Sequence, residues 1–369
     1  MEKKQKKVVI KIGSTLITDH GEGLNHQSLC DWAEQIAMIC KQGHSVVLVS
    51  SGAVAEGVTR LNMKKRPTTL HELQAAAAVG QMGLVQSYES CFQRHQLHSA
   101  QVLLTHDDLS NRKRYLNARS TLKTLLEYGV VPVVNENDTV SNEEIRFGDN
   151  DTLAALVCNL IEADLLIILT DQQGLYDSNP QTNVAAKLIE KASANDSQLL
   201  SFAGSSGSTI GSGGMRTKIV AAQKAARSGT DTIIASGKEI QVIQRLLSGE
   251  EIGSYLSAEQ EKAVARKQWL GSHLIVSGTL VLDAGASNAL LNSGASLLSV
   301  GVKGVKGQFK RGDMVECITE RGKVLAHGLI NYSHSECLQL KGISSQKIQS
   351  ILGYVAEPEL IHRDNLIVF

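Results

Sequence analysis

Aromatic residues make up only 4% of this 369-residue chain, too few for the stacking platforms that bind single-stranded nucleic acid. Neither sign of charge is in excess, with 37 Lys+Arg against 37 Asp+Glu, so nothing draws the molecule as a whole toward nucleic acid or a membrane surface. Long apolar runs are missing. Stretches such as Ala163 to Thr170 are too short to span a bilayer. The basic run Met1 to Lys7 reads as a solvated tail, and the apolar stretch behind it is broken at Lys11 and Gly13, which argues against a signal peptide. The six cysteines, Cys30, Cys40, Cys91, Cys158, Cys317 and Cys337, form no CxxC pair. That spacing predicts reduced thiols in a cytoplasmic protein, with neither a disulfide framework nor a zinc site. Two nucleotide motifs are also absent. Gly52 to Gly57 has the glycine spacing of a Walker A loop, but Val58 stands where its lysine belongs, and no GxGxxG follows the first strand.

What is present is a hydrophobic content of 42%, enough for a sizeable core, in a length that predicts two domains. Short β-branched runs alternate with helical spacing to about residue 255, the pattern of a mainly parallel α/β sheet. Strands are expected at Val8–Ile12, Ser45–Val49, Ala100–Leu104, Val130–Val134, Leu165–Leu169 and Thr232–Ala235. Helices are expected at His26–Lys41, Leu70–Arg94, Arg112–Glu127, Thr152–Glu162, Met215–Arg227 and Lys238–Leu247. Residues 258–275 read as a charged connecting helix. From 276 to 369 short strands punctuated by glycine predict a small β-rich domain.

Chemistry gathers where strands end, the edge at which open parallel sheets bind ligands. Lys11-Ile12-Gly13-Ser14 follows the first strand and Ser51-Gly52-Ala53 the second. Asn135-Glu136-Asn137-Asp138 and then Gly148-Asp149-Asn150-Asp151 follow Val130–Val134, and Thr170-Asp171 follows Leu165–Leu169. Ser212-Gly213-Gly214-Met215-Arg216-Thr217-Lys218 opens a helix. Adjacent glycines let backbone N–H groups approach an anion, and the helix N-terminus favours phosphate. Lys11 and Lys218 would supply the positive charge that phosphoryl transfer needs. Asp151 could orient the lysines, although Asp149 or Asp151 could equally cap the helix that follows.

These motifs, in this order, resemble the amino acid kinase superfamily, and in wording its glutamate-phosphorylating branch. Residues 276–354 resemble the PUA domain appended to bacterial members. The resemblance implies a three-layer α/β sandwich over 1–257 followed by the PUA domain at 276–369. It implies ATP as phosphoryl donor with Mg2+. ATP would lie against Lys11, Gly13, Thr170, Asp171 and residues Ser212 to Lys218, with Lys11, Lys218 and Asp151 catalytic. Glutamate would lie against Ser51, Gly52, Asn135, Asp138, Asp149 and Asn150. The implied reaction is phosphorylation of the γ-carboxylate of L-glutamate, the first step of proline biosynthesis, with proline as inhibitor. The product would pass to γ-glutamyl phosphate reductase. A cytoplasmic homo-oligomer, dimer or tetramer, is also implied. Ser212 and Arg216 depart from the Thr and Ser often found there.

Two other functions compete. Another small-carboxylate kinase of the same fold would differ in the acceptor pocket, where Asp138 suits a free α-amino group and not an acetylated one. An RNA-binding role is raised by the PUA resemblance and by Lys303, Lys306, Lys310 and Arg311. The region 276–369, however, holds nine Lys+Arg and eight Asp+Glu, without the basic excess of an RNA surface.

Overall fold

The strand Lys7–Ile12 (β1) is buried at every position after Lys7, as expected of a strand covered on both faces. In this computed structural model the described residues are 5–18, 23–140, 150–180, 182–203, 214–259 and 276–369. β1 leads through the short helix Ser14–Ile17 (α1) to His26–Lys41 (α2), which Asn25 caps by accepting from the Ser28 N–H at 3.0 Å. Then follow Ser45–Ser50 (β2), Ala53–Arg60 (α3), Leu70–Gln93 (α4), Ser99–Leu104 (β3), His106–Ser110 (α5), Arg112–Glu127 (α6) and Val131–Glu136 (β4). Next come Asn150–Ile161 (α7), Leu165–Thr170 (β5), Lys191–Ser193 (β6), Leu199–Phe202 (α8), Met215–Ala226 (α9), Asp231–Ser236 (β7), Val242–Leu247 (α10) and Ser254–Ser257 (β8).

These strands form one eight-stranded sheet in the order β3-β4-β2-β1-β5-β7-β8-β6. All pairings are parallel except β7 with β8. The chain leaves β1 toward β2 on one side and returns to pair β5 on the other. In open α/β sheets such a reversal is where ligands bind, here at the carboxyl ends of β1, β2 and β5. Side chains alternate across a strand. Val8, Ile10 and Ile12 join a core with Leu29, Ile36, Leu84, Tyr88 and Val242 from α2, α4 and α10. Val9 and Lys11 therefore face the opposite layer, where α7 packs on β1 and α9 packs on α7.

Two local expectations change, and one helix that periodicity did not predict, α3, follows Gly52. α10 starts at Val242 and not at Lys238, because Gln241 adopts φ 52°, a left-handed conformation that no helix continues through. Cys30 and Cys91 are joined in a disulfide, which corrects the expectation of six reduced thiols. The two are 61 residues apart in sequence, and their spacing says nothing of the α2–α4 packing that brings them together. Cys40, Cys158, Cys317 and Cys337 stand outside any disulfide.

The chain divides into two compact units, Met1–Ser110 with Asn117–Ala265, and Asn111–Leu116 with Arg266–Phe369. In the second, Val276–Leu282 (β9), Val302–Gly307 (β10), Met314–Thr319 (β11), Val324–Leu329 (β12) and Leu366–Val368 (β13) form a sheet in the order β10-β9-β11-β12-β13. β9 and β11 run parallel and the other pairs antiparallel. The helices Ala284–Ser293 and His334–Leu340 close its core around Tyr332, Leu360 and Ile361. Of the expected connecting helix, 258 and 259 are not helical and 260–275 lie outside the described residues.

Candidate active site

The face alternation of β1 puts Lys11 under the first turns of α7 and α9. Asp151 is in the first turn of α7 and Lys218 in the first turn of α9. The Lys11 ammonium lies 2.6 Å from Asp151 Oδ1, and the Lys218 ammonium 3.3 Å from Oδ2. Thr217 Oγ1 stands 2.8 Å from both Asp151 Oδ2 and the Gly214 carbonyl. All three charged groups are buried, with Asp151 fully so and each lysine 4% exposed. Burial by itself would raise the carboxyl pKa. The charges of Lys11 and Lys218 and the hydrogen bonds from Lys11 and Thr217 outweigh it and hold Asp151 below its usual range. The result is a carboxylate that stays ionised and fixes two ammoniums at the sheet edge.

Gly13 leaves β1 with its N–H bonded to the Leu169 carbonyl at 3.1 Å. A Cβ there would stand 3.4 Å from that oxygen and 3.9 Å from Lys11 Nζ. Thr170, buried at the end of β5, donates to Asp171 Oδ1 at 3.1 Å, and its carbonyl accepts from Gly237. Gly214 precedes α9, and Met215 and Arg216 open it.

Beside the charged triad is a cluster of amides and hydroxyls. Asn150 Nδ2 reaches the Ser50 carbonyl at 3.0 Å, Ser51 Oγ at 2.9 Å and Asn135 Oδ1 at 3.0 Å. Ser50 Oγ in turn meets the buried Tyr88 hydroxyl at 3.1 Å. Gly52 has φ 102° and starts α3, a backbone that a residue with a Cβ rarely adopts. Asp138 sits half-buried in the turn just after β4. Three motifs far apart in sequence thus meet here, as expected from their places at strand ends. Asp149, Ser212 and Gly213 lie outside the described residues.

Two partners in the site were not anticipated. Thr217 was expected at the nucleotide but not as a ligand of the Asp151 carboxylate. Gln81 was not expected at all. Its Oε1 accepts from Asn135 Nδ2 at 2.7 Å. The signal was a polar residue on the buried face of a helix whose neighbours at helical spacing, Ala77, Leu84 and Tyr88, are apolar and buried.

Among the described residues no group of three or more His, Cys, Asp or Glu is arranged to hold a metal ion. No helix of the described residues is long and apolar enough to cross a membrane.

The amino acid kinase family pattern matches residues 6–236, and the PUA domain pattern residues 278–352. A glutamate 5-kinase of Nitrosospira multiformis is 58% identical over 366 residues, 99% of this chain and 98% of that protein. A glutamate 5-kinase of Thioalkalivibrio sulfidiphilus is 58% identical over 365 residues, 99% of this chain and 97% of the relative. One from Pseudomonas syringae pv. tomato is 58% identical over 360 residues, 98% of this chain and 97% of the relative. With its paired lysines on a buried aspartate and this near full-length similarity, the chain belongs to the amino acid kinase family, in the glutamate 5-kinase group that carries a PUA domain.

Proposed function

We propose that the chain transfers the γ-phosphoryl group of ATP to the γ-carboxylate of L-glutamate, giving γ-glutamyl phosphate and ADP. The observation that carries this reading is the Lys11–Asp151–Lys218 triad, adjoining through Asn150 the Ser51–Asn135 cluster. One is suited to a transferring phosphoryl group, the other to a polar acceptor.

In the reaction an oxygen of the γ-carboxylate bonds to the γ-phosphorus while the bond from phosphorus to the β,γ-bridging oxygen breaks. ADP leaves with that oxygen and its electron pair. A glutamate side chain, with a pKa of about 4.3, is already ionised at neutral pH. The step therefore needs no general base, and the depressed pKa of Asp151 fits a positioning role. Asp151 holds both ammoniums where charge spreads over the phosphoryl oxygens. Catalysis then rests on alignment and on fixed positive charge in a site screened from water.

ATP would bind against Lys11, Gly13, Thr170 and Asp171 and the N-terminal turn of α9, where Gly214 to Lys218 bring backbone N–H groups and positive potential. Mg2+ fits as part of the ATP complex, held mainly by phosphate oxygens and water. The donor set supports that, since Asp151 is committed to the lysines and Asp171 offers a hard oxygen at the same edge. The ion would neutralise phosphate charge. Ser51, Asn150 and Asp138 would hold glutamate, with Asp138 on the α-ammonium. That choice separates glutamate from an N-acetylated acceptor.

An acyl phosphate is labile and needs a prompt consumer; the family resemblance makes that consumer γ-glutamyl phosphate reductase and this reaction the first step of proline biosynthesis. Proline, with an α-carboxylate and a ring nitrogen, would compete for part of the glutamate pocket.

The test is ADP release with L-glutamate, N-acetylglutamate, aspartate and UMP offered separately, with hydroxylamine to trap an acyl phosphate. Turnover and a hydroxamate with glutamate alone are expected. Equal or faster turnover with another acceptor overturns the reading.

A further inference from the structure

Gln81 is a buried amide, 6% exposed, on a helix face otherwise lined by Ala77, Leu84 and Tyr88. A leucine would fill such a place without a polar atom to satisfy. The direction of its hydrogen bonding is settled by its neighbours. Asn150 Nδ2 points at the Ser50 carbonyl, which only accepts, so Nδ2 is correctly placed as a donor. The same Nδ2 and the Glu136 N–H, at 2.9 Å, both meet Asn135 Oδ1. Asn135 must therefore present Nδ2 to Gln81, and Gln81 must present Oε1 in return. An amide flip would set like atoms against each other at each step. Gln81 Nε2 is thus a donor, and among the described residues it has no acceptor. Leaving such a donor unmet is worth about 1–3 kcal/mol against the fold, so its persistence calls for an acceptor that arrives with a ligand.

The order of the network says which part of the ligand. From the phosphoryl-transfer side it runs Lys11–Asp151, then Asn150 next to Asp151 in sequence, then Asn135, then Gln81. The γ-carboxylate must lie at the lysine end, and Gln81 closes the other. We propose that Gln81 Nε2 donates to the α-carboxylate of the acceptor amino acid, making it a specificity-determining residue of the non-reacting end. This rests on the acceptor reading given under the proposed function. Gln81 would act with Asp138, the amide on the carboxylate and the carboxylate on the ammonium. Together they would recognise an α-amino acid and not merely any γ-carboxylate.

Gln81→Glu tests this, because it keeps Oε1 for Asn135 at nearly the same volume and puts a carboxylate oxygen where Nε2 was. Gln81→Leu removes both atoms. The readouts are KM and kcat for glutamate, KM for ATP, thermal unfolding, and inhibition constants for glutarate and 4-aminobutyrate. Glutarate keeps both carboxylates, whereas 4-aminobutyrate lacks the α-carboxylate. In Gln81→Glu, KM for glutamate and the glutarate inhibition constant should rise roughly 10- to 100-fold, the scale of a lost hydrogen bond to a charged group. The 4-aminobutyrate constant and KM for ATP should stay within about twofold. Gln81→Leu should show the same pattern with a smaller rise. The proposal is overturned if all three acceptor-site ligands weaken together, if KM for ATP rises in step, or if Gln81→Glu binds glutamate like wild type. Wild-type protein that fails to phosphorylate glutamate would instead sink the acceptor reading on which the proposal rests.

Discussion

At the scale of residues, the site turns on one carboxylate between two ammoniums. Lys11→Ala or Lys218→Ala should each lower kcat by roughly 10²–10³, the effect of losing one preorganised charge contact in the transition state. Steady-state kinetics at saturating ATP and glutamate reads this, and near-normal turnover would remove that lysine from the mechanism. Asp151 carries a pH prediction. Its pKa is depressed in the folded protein. Its stabilisation is therefore complete above the unfolded-chain value of about 3.9. It declines as pH falls below that toward the folded value, and is gone once the folded carboxyl is protonated. Asp151→Asn should cost about 3–5 kcal/mol at pH 7, because two buried ammoniums lose their counter-charge. It should also flatten the loss of stability below pH ~4. Urea unfolding of both proteins between pH 7 and 3 checks both parts. Equal stability at pH 7 would show that the ion pairs do not hold the fold.

At the scale of elements, α3 and α4 cross with their backbones nearly touching. A Cβ on Gly80 would sit 1.8 Å from the Ala53 carbonyl oxygen, and one on Gly57 would sit 1.7 Å from the Ala76 carbonyl oxygen. This approach seats the Gly52 turn at one end of α3 and carries Gln81 toward Asn135. Gly80→Ala must push the helices apart and should destabilise by more than the ~1–3 kcal/mol typical of overpacking, and raise KM for glutamate. Gly129 is a control. It has φ +71° and nothing within 4 Å of an added Cβ, so Gly129→Ala should cost only the left-handed strain, about 1–2 kcal/mol. Thermal unfolding of the two variants side by side decides this; equal losses would mean that the crossing can give. α2 and α4 are also linked through Cys30 and Cys91. Alkylating denatured protein without reductant should therefore label four cysteines and, after reduction, six. Mass spectrometry counts the adducts, and six in both samples would show the pair to be dithiol.

At the scale of the whole molecule, every described residue assigned to chemistry lies in the unit that contains the eight-stranded sheet. The second unit has its own core and contributes none of them. A chain ending at Ser257 should fold and still phosphorylate glutamate, within about tenfold of the full-length rate, an allowance set by altered association or regulation. Circular dichroism and the ADP-release assay check this. A folded but inactive truncation would mean that the PUA unit completes the site.

Strand and helix positions were legible in the sequence because apolar periodicity and glycine punctuation are local properties. β1, α2, α6 and β5 fall within a residue of expectation. The grouping of Lys11, Ser51, Asn135, Asn150 and Lys218 was also legible, since strand ends in a parallel sheet share one edge. Sequence periodicity left α3, β6 and β8 unread, because a short helix after a glycine turn and three- or four-residue edge strands carry too little pattern. The rest belongs to tertiary structure alone. Which face of β1 carries Lys11 toward Asp151, the pairing of Cys30 with Cys91, and the meeting of Gln81 with Asn135 all depend on packing between elements distant in the chain. A contact of that kind leaves no trace in the local order of residues, because each partner obeys only the periodicity of its own helix or strand.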